Sequence, residues 1–226
     1  MRYYPVFLDV ANKPVVVVGG GNVAQVKVEG LLDAGAQVTV VSPELNERMA
    51  QLRDEGRFMF IKRKYELGDL EGYDLAFAAT DDGEDNHAVW QEGRERHIWV
   101  NAVDDIPNCD FIMPGIVRKG DLVLAISTSG TSPAMARKVR EDIEAFLTDE
   151  DAELLDLAAE VRRELREQKV TVGNCQHCRR NNNDVWNAAL DGEVKRFLKT
   201  GDRAAAKDRV LNLLLSPSGQ HEGMPS

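Results

Sequence analysis

Three consecutive glycines, Gly19, Gly20 and Gly21, stand between four valines (Val15–Val18) and a helix-like stretch, Val23–Ala34, that Gly35 ends. The spacing Gly19-x-Gly21-x-x-Ala24 is the pattern with which a strand–turn–helix unit holds the diphosphate of a dinucleotide. In that reading Gly19 permits the tight turn. Gly21 has no Cβ to keep the diphosphate away from the main chain, and Ala24 is small enough for the helix to lie close on the strand. Asn22 and Val23 open the helix, whose first amides and positive dipole end face the phosphates.

A second strand, residues 37–41, ends in Val41-Ser42-Pro43-Glu44. A dinucleotide site places an acid near this point, bonded to the ribose hydroxyls. Glu44 is the candidate acid, with Pro43 beside it as a candidate cofactor contact. Glu44 comes slightly late, and no arginine follows at once to hold a 2′-phosphate, so NAD is expected rather than NADP. Thr80 ends a fourth strand, read over Tyr73–Thr80, and Asn101 and Val103 end a fifth, Ile98–Val103. Ligands of open α/β sheets lie along this edge. Asp81-Asp82 reads equally as a surface turn.

A second group of polar residues lies in "STSGTSPAMARKVR". Ser127, Thr128, Ser129 and Thr131 offer hydroxyls, and Gly130 lets the backbone come close. The helix after Ser132 presents its first amides, with Arg137, Lys138 and Arg140 along it. These residues suit a polyanion, and they also suit an ordinary capped helix with a solvated basic face. Asp104 and Asp105 in "NAVDD" are carboxylates that accept a proton or guide a cation, or loop acids that cap a turn. His87 reads as an exposed helix histidine before it reads as a metal ligand. Cys175 and Cys178, with His177, form half a zinc site, a redox pair or two loop cysteines. A zinc site needs four ligands, and Cys109 is the only other cysteine.

Strands and helices alternate through Val103, which predicts an α/β fold with a parallel, doubly wound sheet. Helices are read over Glu44–Glu55 and Asn86–Arg96, and a third strand over Phe58–Ile61. A hairpin follows over Phe111–Thr128 around Lys119-Gly120-Asp121. Then comes a helix with Ser132 as N-cap and Pro133 in its first turn. From Asp149 the pattern is helical, broken at 171–184, with a disordered "HEGMPS" tail expected. The formal net charge over 226 residues is −10, which argues against nucleic acid and anionic membranes as partners. No apolar run reaches the roughly 18 residues of a membrane span, and no signal peptide is expected at the N-terminus. Three cysteines make no disulfide framework, so a reducing cytoplasm is the expected compartment.

The glycine turn, "AATDD", "NAVDD…FIMP" and "STSGTSP", in this order and spacing, resemble the precorrin-2 dehydrogenase family. That family includes the first half of siroheme synthase and the bifunctional dehydrogenase–ferrochelatases. "VWNAALDGEVKRFLKTGDRAAAKDRVLNLL" resembles its small helical domain. The resemblance implies oxidation of precorrin-2 to sirohydrochlorin, with NAD+ accepting the hydride. Some members go on to insert ferrous iron as a second substrate. It implies a homodimer and three regions: a Rossmann-like NAD-binding domain (1–113), a dimerisation and substrate-binding segment with antiparallel strands (114–148), and a helical domain (149–226).

The resemblance selects Asp104 over Asp105 as the catalytic carboxylate. It assigns Asn101, Ser127, Thr128, Ser129, Gly130 and Thr131 to the eight-carboxylate substrate. Thr128 stands where some relatives have a serine. The chain has no length for a fused methyltransferase domain, so precorrin-2 is expected from a separate enzyme. Two other readings are a non-catalytic NAD-sensing Rossmann module and a metal- or redox-responsive protein built on Cys175 and Cys178.

Overall fold

The computed structural model describes residues 3–103, 105–170, 172 and 182–215. The chain divides into two compact units, residues 1–113 with 129–131, and 114–128 with 132–226.

The first unit alternates β1 (Pro14–Val18), α1 (Asn22–Asp33), β2 (Gln37–Val41), α2 (Glu47–Asp54), β3 (Met59–Ile61), β4 (Leu75–Ala78), α3 (Gly83–Arg96) and β5 (Trp99–Ala102). The strands form one parallel sheet in the order β3-β2-β1-β4-β5. The valine run is explained by its place at the centre of that sheet. Val15 and Val17 pack with Ala24 and Val28 of α1 and Met49 and Leu52 of α2 on one face. Val16 and Val18 pack with Val89 of α3 on the other. A parallel strand covered on both faces needs an apolar residue at every position.

Two helix starts differ from the sequence reading. Helix α2 begins at Glu47 rather than Glu44, because Asn46 caps it and accepts from the Met49 amide at 2.8 Å. Helix α3 begins at Gly83 rather than Asn86, because Asp82 accepts from the Glu84 amide at 2.9 Å. Asn86 therefore lies in the first turns of α3, not at its start.

The second unit opens with the expected hairpin, β6 (Gly115–Lys119) and β7 (Leu122–Ile126), in antiparallel register. Helix α4 (Pro133–Phe146) starts with Ser132 accepting from the Met135 amide. Four helices follow: α5 (Asp149–Glu167), α6 (Asn182–Ala189), α7 (Gly192–Lys199) and α8 (Arg203–Leu215). They share a core that includes Leu157, Val161, Trp186, Val194 and Val210. Helix α6 starts inside the stretch read as a break. Cys175, His177, Cys178 and the terminal "HEGMPS" lie outside the described residues. Among the described residues, no helix is long and apolar enough to cross a membrane.

Candidate functional site

The first unit brings the glycine turn, Pro43-Glu44 and Thr80 together at the carboxyl edge of its sheet. Gly19 donates to the Val41 carbonyl at 2.9 Å and has φ +126°. A Cβ built there would meet the Ala79 carbonyl oxygen at 2.2 Å. Only glycine turns so tightly against the end of β4. Gly20 fits as closely on the other side, against Glu44, and its carbonyl accepts from the Asn46 amide at 2.9 Å.

Gly21 differs from both. A Cβ built on it meets nothing within 4 Å. Gly21 is the N-cap of α1, and no side chain caps that helix or places an acid in its first turn. The residues around this turn fit a diphosphate: a bare main chain, open space above it, and a helix N-terminus whose donors no side chain among the described residues caps. Ala24 is fully buried under the helix, as the spacing predicts.

Two shallow clefts flank the turn on the β2 side. One, of about 450 Å³, is lined by Asn22, Gln25, Asn46, Glu47, Arg48 and Gln51. The Asn46 side-chain Nδ2 donates to Asn22 Oδ1 and Gln25 Oε1 there, both at 2.9 Å. The other, of about 270 Å³, lies among Pro43, Glu44, Arg53, Phe60 and Lys62. Pro43 and Glu44 are exposed. Arg53 gives its Nε and Nη2 to Asp54 at 2.9 and 2.7 Å, an exposed pair on the rim of this cleft.

Thr80 lies two residues past β4, which ends at Ala78 rather than at Thr80, and its hydroxyl is engaged within the chain. It faces the Asn86 Oδ1 at 2.8 Å and the Asp82 carbonyl at 2.9 Å, and it accepts from the Asp82 amide at 3.2 Å. Thr80 as a whole is half-buried. The Asn101 side chain, expected to contact the substrate, is buried. Its amide donates to the Phe111 carbonyl at 2.9 Å, so it pins the 109–111 segment against β5. Asp104 lies outside the described residues. Its neighbour Asp105 accepts from the Asn108 side-chain amide at 2.6 Å. That amide also meets His87 Nδ1 at 3.1 Å. His87 is exposed, and the described residues hold no cluster of three metal-ligating side chains.

In the second unit, Thr128 Oγ1 closes the 128–132 turn on itself, 3.1 Å from both the Ser132 amide and the Ser132 carbonyl. Ser127 is exposed, as are Ser129, Gly130 and Thr131 of the first unit. Ser129 and Gly130 both take positive φ, 55° and 82°. For a serine that conformation is uncommon. The expected basic face of α4 is partly spent, since Arg137 pairs with Glu141 at 2.9 Å and Arg140 with Glu144 at 2.6 Å. Lys138 has no ion pair among the described residues.

Residues 6–115 match the family model described as putative NAD(P)-binding, and residues 119–145 match the one described as sirohaem biosynthesis protein central. The chain is 34% identical over 220 residues to a siroheme synthase of Photobacterium profundum, covering 97% of this chain and 45% of that protein. It is 36% identical over 223 residues to a siroheme synthase of Methylobacillus flagellatus, covering 99% of this chain and 46% of that one. The chain thus spans under half the length of the curated relatives it matches. A solved structure described as SirC, precorrin-2 dehydrogenase, superposes with a TM-score of 0.72 at 24% identity, over 92% of this chain and 98% of that one. That likeness establishes the shared fold.

Proposed function

We propose that this chain, a member of the family that joins an NAD(P)-binding domain to the sirohaem biosynthesis central segment, oxidises precorrin-2 to sirohydrochlorin with NAD+ as hydride acceptor. The observation that carries this reading is the open main chain at Gly21, at the uncapped start of α1. The bound dinucleotide supplies the electron-accepting ring. Gly19, Gly21, Asn22, Val23 and Ala24 form the diphosphate cradle. Pro43 and Glu44 flank the adenosine ribose, and Thr80, just past the end of β4, lies towards the nicotinamide. NAD is favoured over NADP because no arginine follows Glu44 at once to hold a 2′-phosphate.

Asp104 is assigned the proton that leaves the macrocycle as its carbon gives up a hydride. The exposed loop residues Ser127, Ser129, Gly130 and Thr131 are assigned to the substrate carboxylates. Thr128 shapes their turn, and Asn101 braces the segment after β5. Insertion of ferrous iron into the product is a further step open to the same carboxylate.

A homodimer goes with this reading. Helix α4 buries none of its residues in the single chain, and Met135, Phe146 and Ile116 of β6 are 52%, 80% and 46% exposed. A second copy is the proposed cover for that apolar surface. The cytoplasm is the proposed compartment, which cell fractionation tests.

Anaerobic incubation with precorrin-2 and either NAD+ or NADP+ tests the function. The sirohydrochlorin spectrum should develop faster with NAD+. Asp104→Ala should lose turnover and keep its affinity for NAD+, whereas lost NAD+ binding in a folded variant would contradict the role given to Asp104.

A further inference from the structure

Strand β4 pairs with β1 only as far as Ala78, opposite Val18. The Ala79 amide makes one more bond to the Val18 carbonyl, at 2.8 Å, and β1 then leaves the sheet through Gly19. On its other edge β4 pairs with β5 only as far as Ala78, opposite Ala102, and the Val103 amide donates to the Ala78 carbonyl at 2.9 Å. Main-chain groups alternate sides along a strand, so those of Thr80 face beyond the end of β5 and have no strand to pair with. The side chain of Asn86, buried in α3, takes that place. Its Oδ1 accepts from the Thr80 amide at 3.1 Å, and its Nδ2 donates to the Thr80 carbonyl at 3.0 Å. The same Oδ1 lies 2.8 Å from the Thr80 hydroxyl. One carboxamide thus satisfies both main-chain groups of one residue, as a neighbouring strand would. The two bonds also fix which end of the amide is oxygen, because an amide N–H must donate and a carbonyl must accept.

The position of this brace gives it a function. The Ala79 carbonyl, one residue before Thr80, is the group that Gly19 packs against. In the order β3-β2-β1-β4-β5, the adenosine half of a dinucleotide lies towards β2, so the other half lies towards β4. We propose that Asn86 is a positioning residue for the nicotinamide half of the dinucleotide, holding the end of β4 as a preset floor beside the glycine turn. The inference rests on the dinucleotide reading given above. Asn86 acts through Thr80 and need not touch the ligand.

The alternative is that Asn86 only keeps α3 attached to the sheet, and separate ligands distinguish the two. Affinity for NAD+ and for AMP, which lacks the nicotinamide half, is measured by calorimetry on the full chain. The proteins are the parent, Asn86→Ala and Asn86→Asp, with melting temperature as the check on folding. Loss of the brace should weaken NAD+ by about tenfold, because binding must then order the main chain at the end of β4 that Asn86 holds preset in the parent. AMP affinity should stay within about twofold, well under the 1.4 kcal/mol that a tenfold change represents.

Asn86→Asp provides a second readout. Ionised, it cannot donate to the Thr80 carbonyl; protonated, its O–H can. Its NAD+ affinity relative to the parent should therefore recover as the pH falls through the carboxylate range, with AMP affinity unmoved. Parallel losses of NAD+, AMP and melting temperature would overturn the proposal, as would unchanged NAD+ affinity in both variants. Failure of the parent to bind NAD+ would instead remove the dinucleotide reading, and this inference with it.

Discussion

Gly20 packs against the main chain of Glu44: a Cβ built on Gly20 would lie 2.0 Å from the Glu44 carbonyl oxygen and 2.8 Å from Ser42 Oγ. Three adjacent glycines thus do three different things. Gly19 turns against Ala79, Gly20 admits the β2–α2 loop, and Gly21 leaves room for a ligand. Alanine at Gly20 must displace backbone and should cost about 1–3 kcal/mol, as overpacking does. Alanine at Gly21 meets no protein atom and should fold normally, but its affinity for NAD+ should fall. Thermal melts paired with NAD+ titrations check both, and a Gly21→Ala protein that binds like the parent would contradict the cradle.

Glu92 is 1% exposed and gathers four donors. Tyr65 OH donates at 2.5 Å, the Gly68 and Leu70 amides at 3.0 and 3.3 Å, and Arg96 Nε at 2.6 Å. Burial, with the Glu92 carboxylate beside it, pushes the Tyr65 phenol well above its ordinary range. Glu92→Ala leaves these donors unpaired and should destabilise the first unit by about 3–5 kcal/mol. Tyr65→Phe removes one neutral donor and should cost about 1–2 kcal/mol. Urea denaturation followed by Trp fluorescence measures both, and equal losses would contradict Glu92 as the hub.

Much of this fold can be read from the sequence because its determinants are local. Four valines in a row mark a strand covered on both faces, and Gly19 and Gly21 mark the turn that follows. Ser132-Pro133 and Lys119-Gly120-Asp121 likewise announce their cap and hairpin. What escapes depends on tertiary contacts. Gly20 is constrained by Glu44, a neighbour that only the folded sheet supplies. Glu92 lies in the polar run "QEGRER", whose composition gives no sign that one carboxylate is buried. Asn86 reads as a helix start, yet Asp82 is the cap. Thr80 is found by strand position, but the engagement of its hydroxyl is not, since Asn86 is the partner.

In the second unit Glu160 receives Lys207 and Arg203, both at 2.7 Å, and they hold its carboxyl down to about 2. A depressed carboxyl stabilises the fold above its unfolded value of about 4.5, and that contribution disappears as the pH falls towards about 2. The side chain is still 27% exposed, so solvent screens the pair and Glu160→Gln should cost on the order of 1 kcal/mol at neutral pH. The gap between variant and parent should close as the pH is lowered through that window. A gap that widens in acid would contradict the assignment.

Phe146 and Met135 lie on α4, which buries none of its residues in the single chain. If a second copy covers them, Phe146→Glu or Met135→Glu should shift the sedimenting species from dimer to monomer and leave the helical circular dichroism unchanged. A parent chain that sediments as a monomer would remove the dimer from the account.

The most direct test of the central claim is a single-turnover experiment with precorrin-2, NAD+ and excess protein, without oxygen. The account predicts one reduced nicotinamide for each sirohydrochlorin formed. It also predicts that both signals disappear together in a folded Gly21 variant whose added side chain fills the space above the turn. Sirohydrochlorin formed without reduced nicotinamide, or no reaction with NAD+ and NADP+ alike, would contradict it.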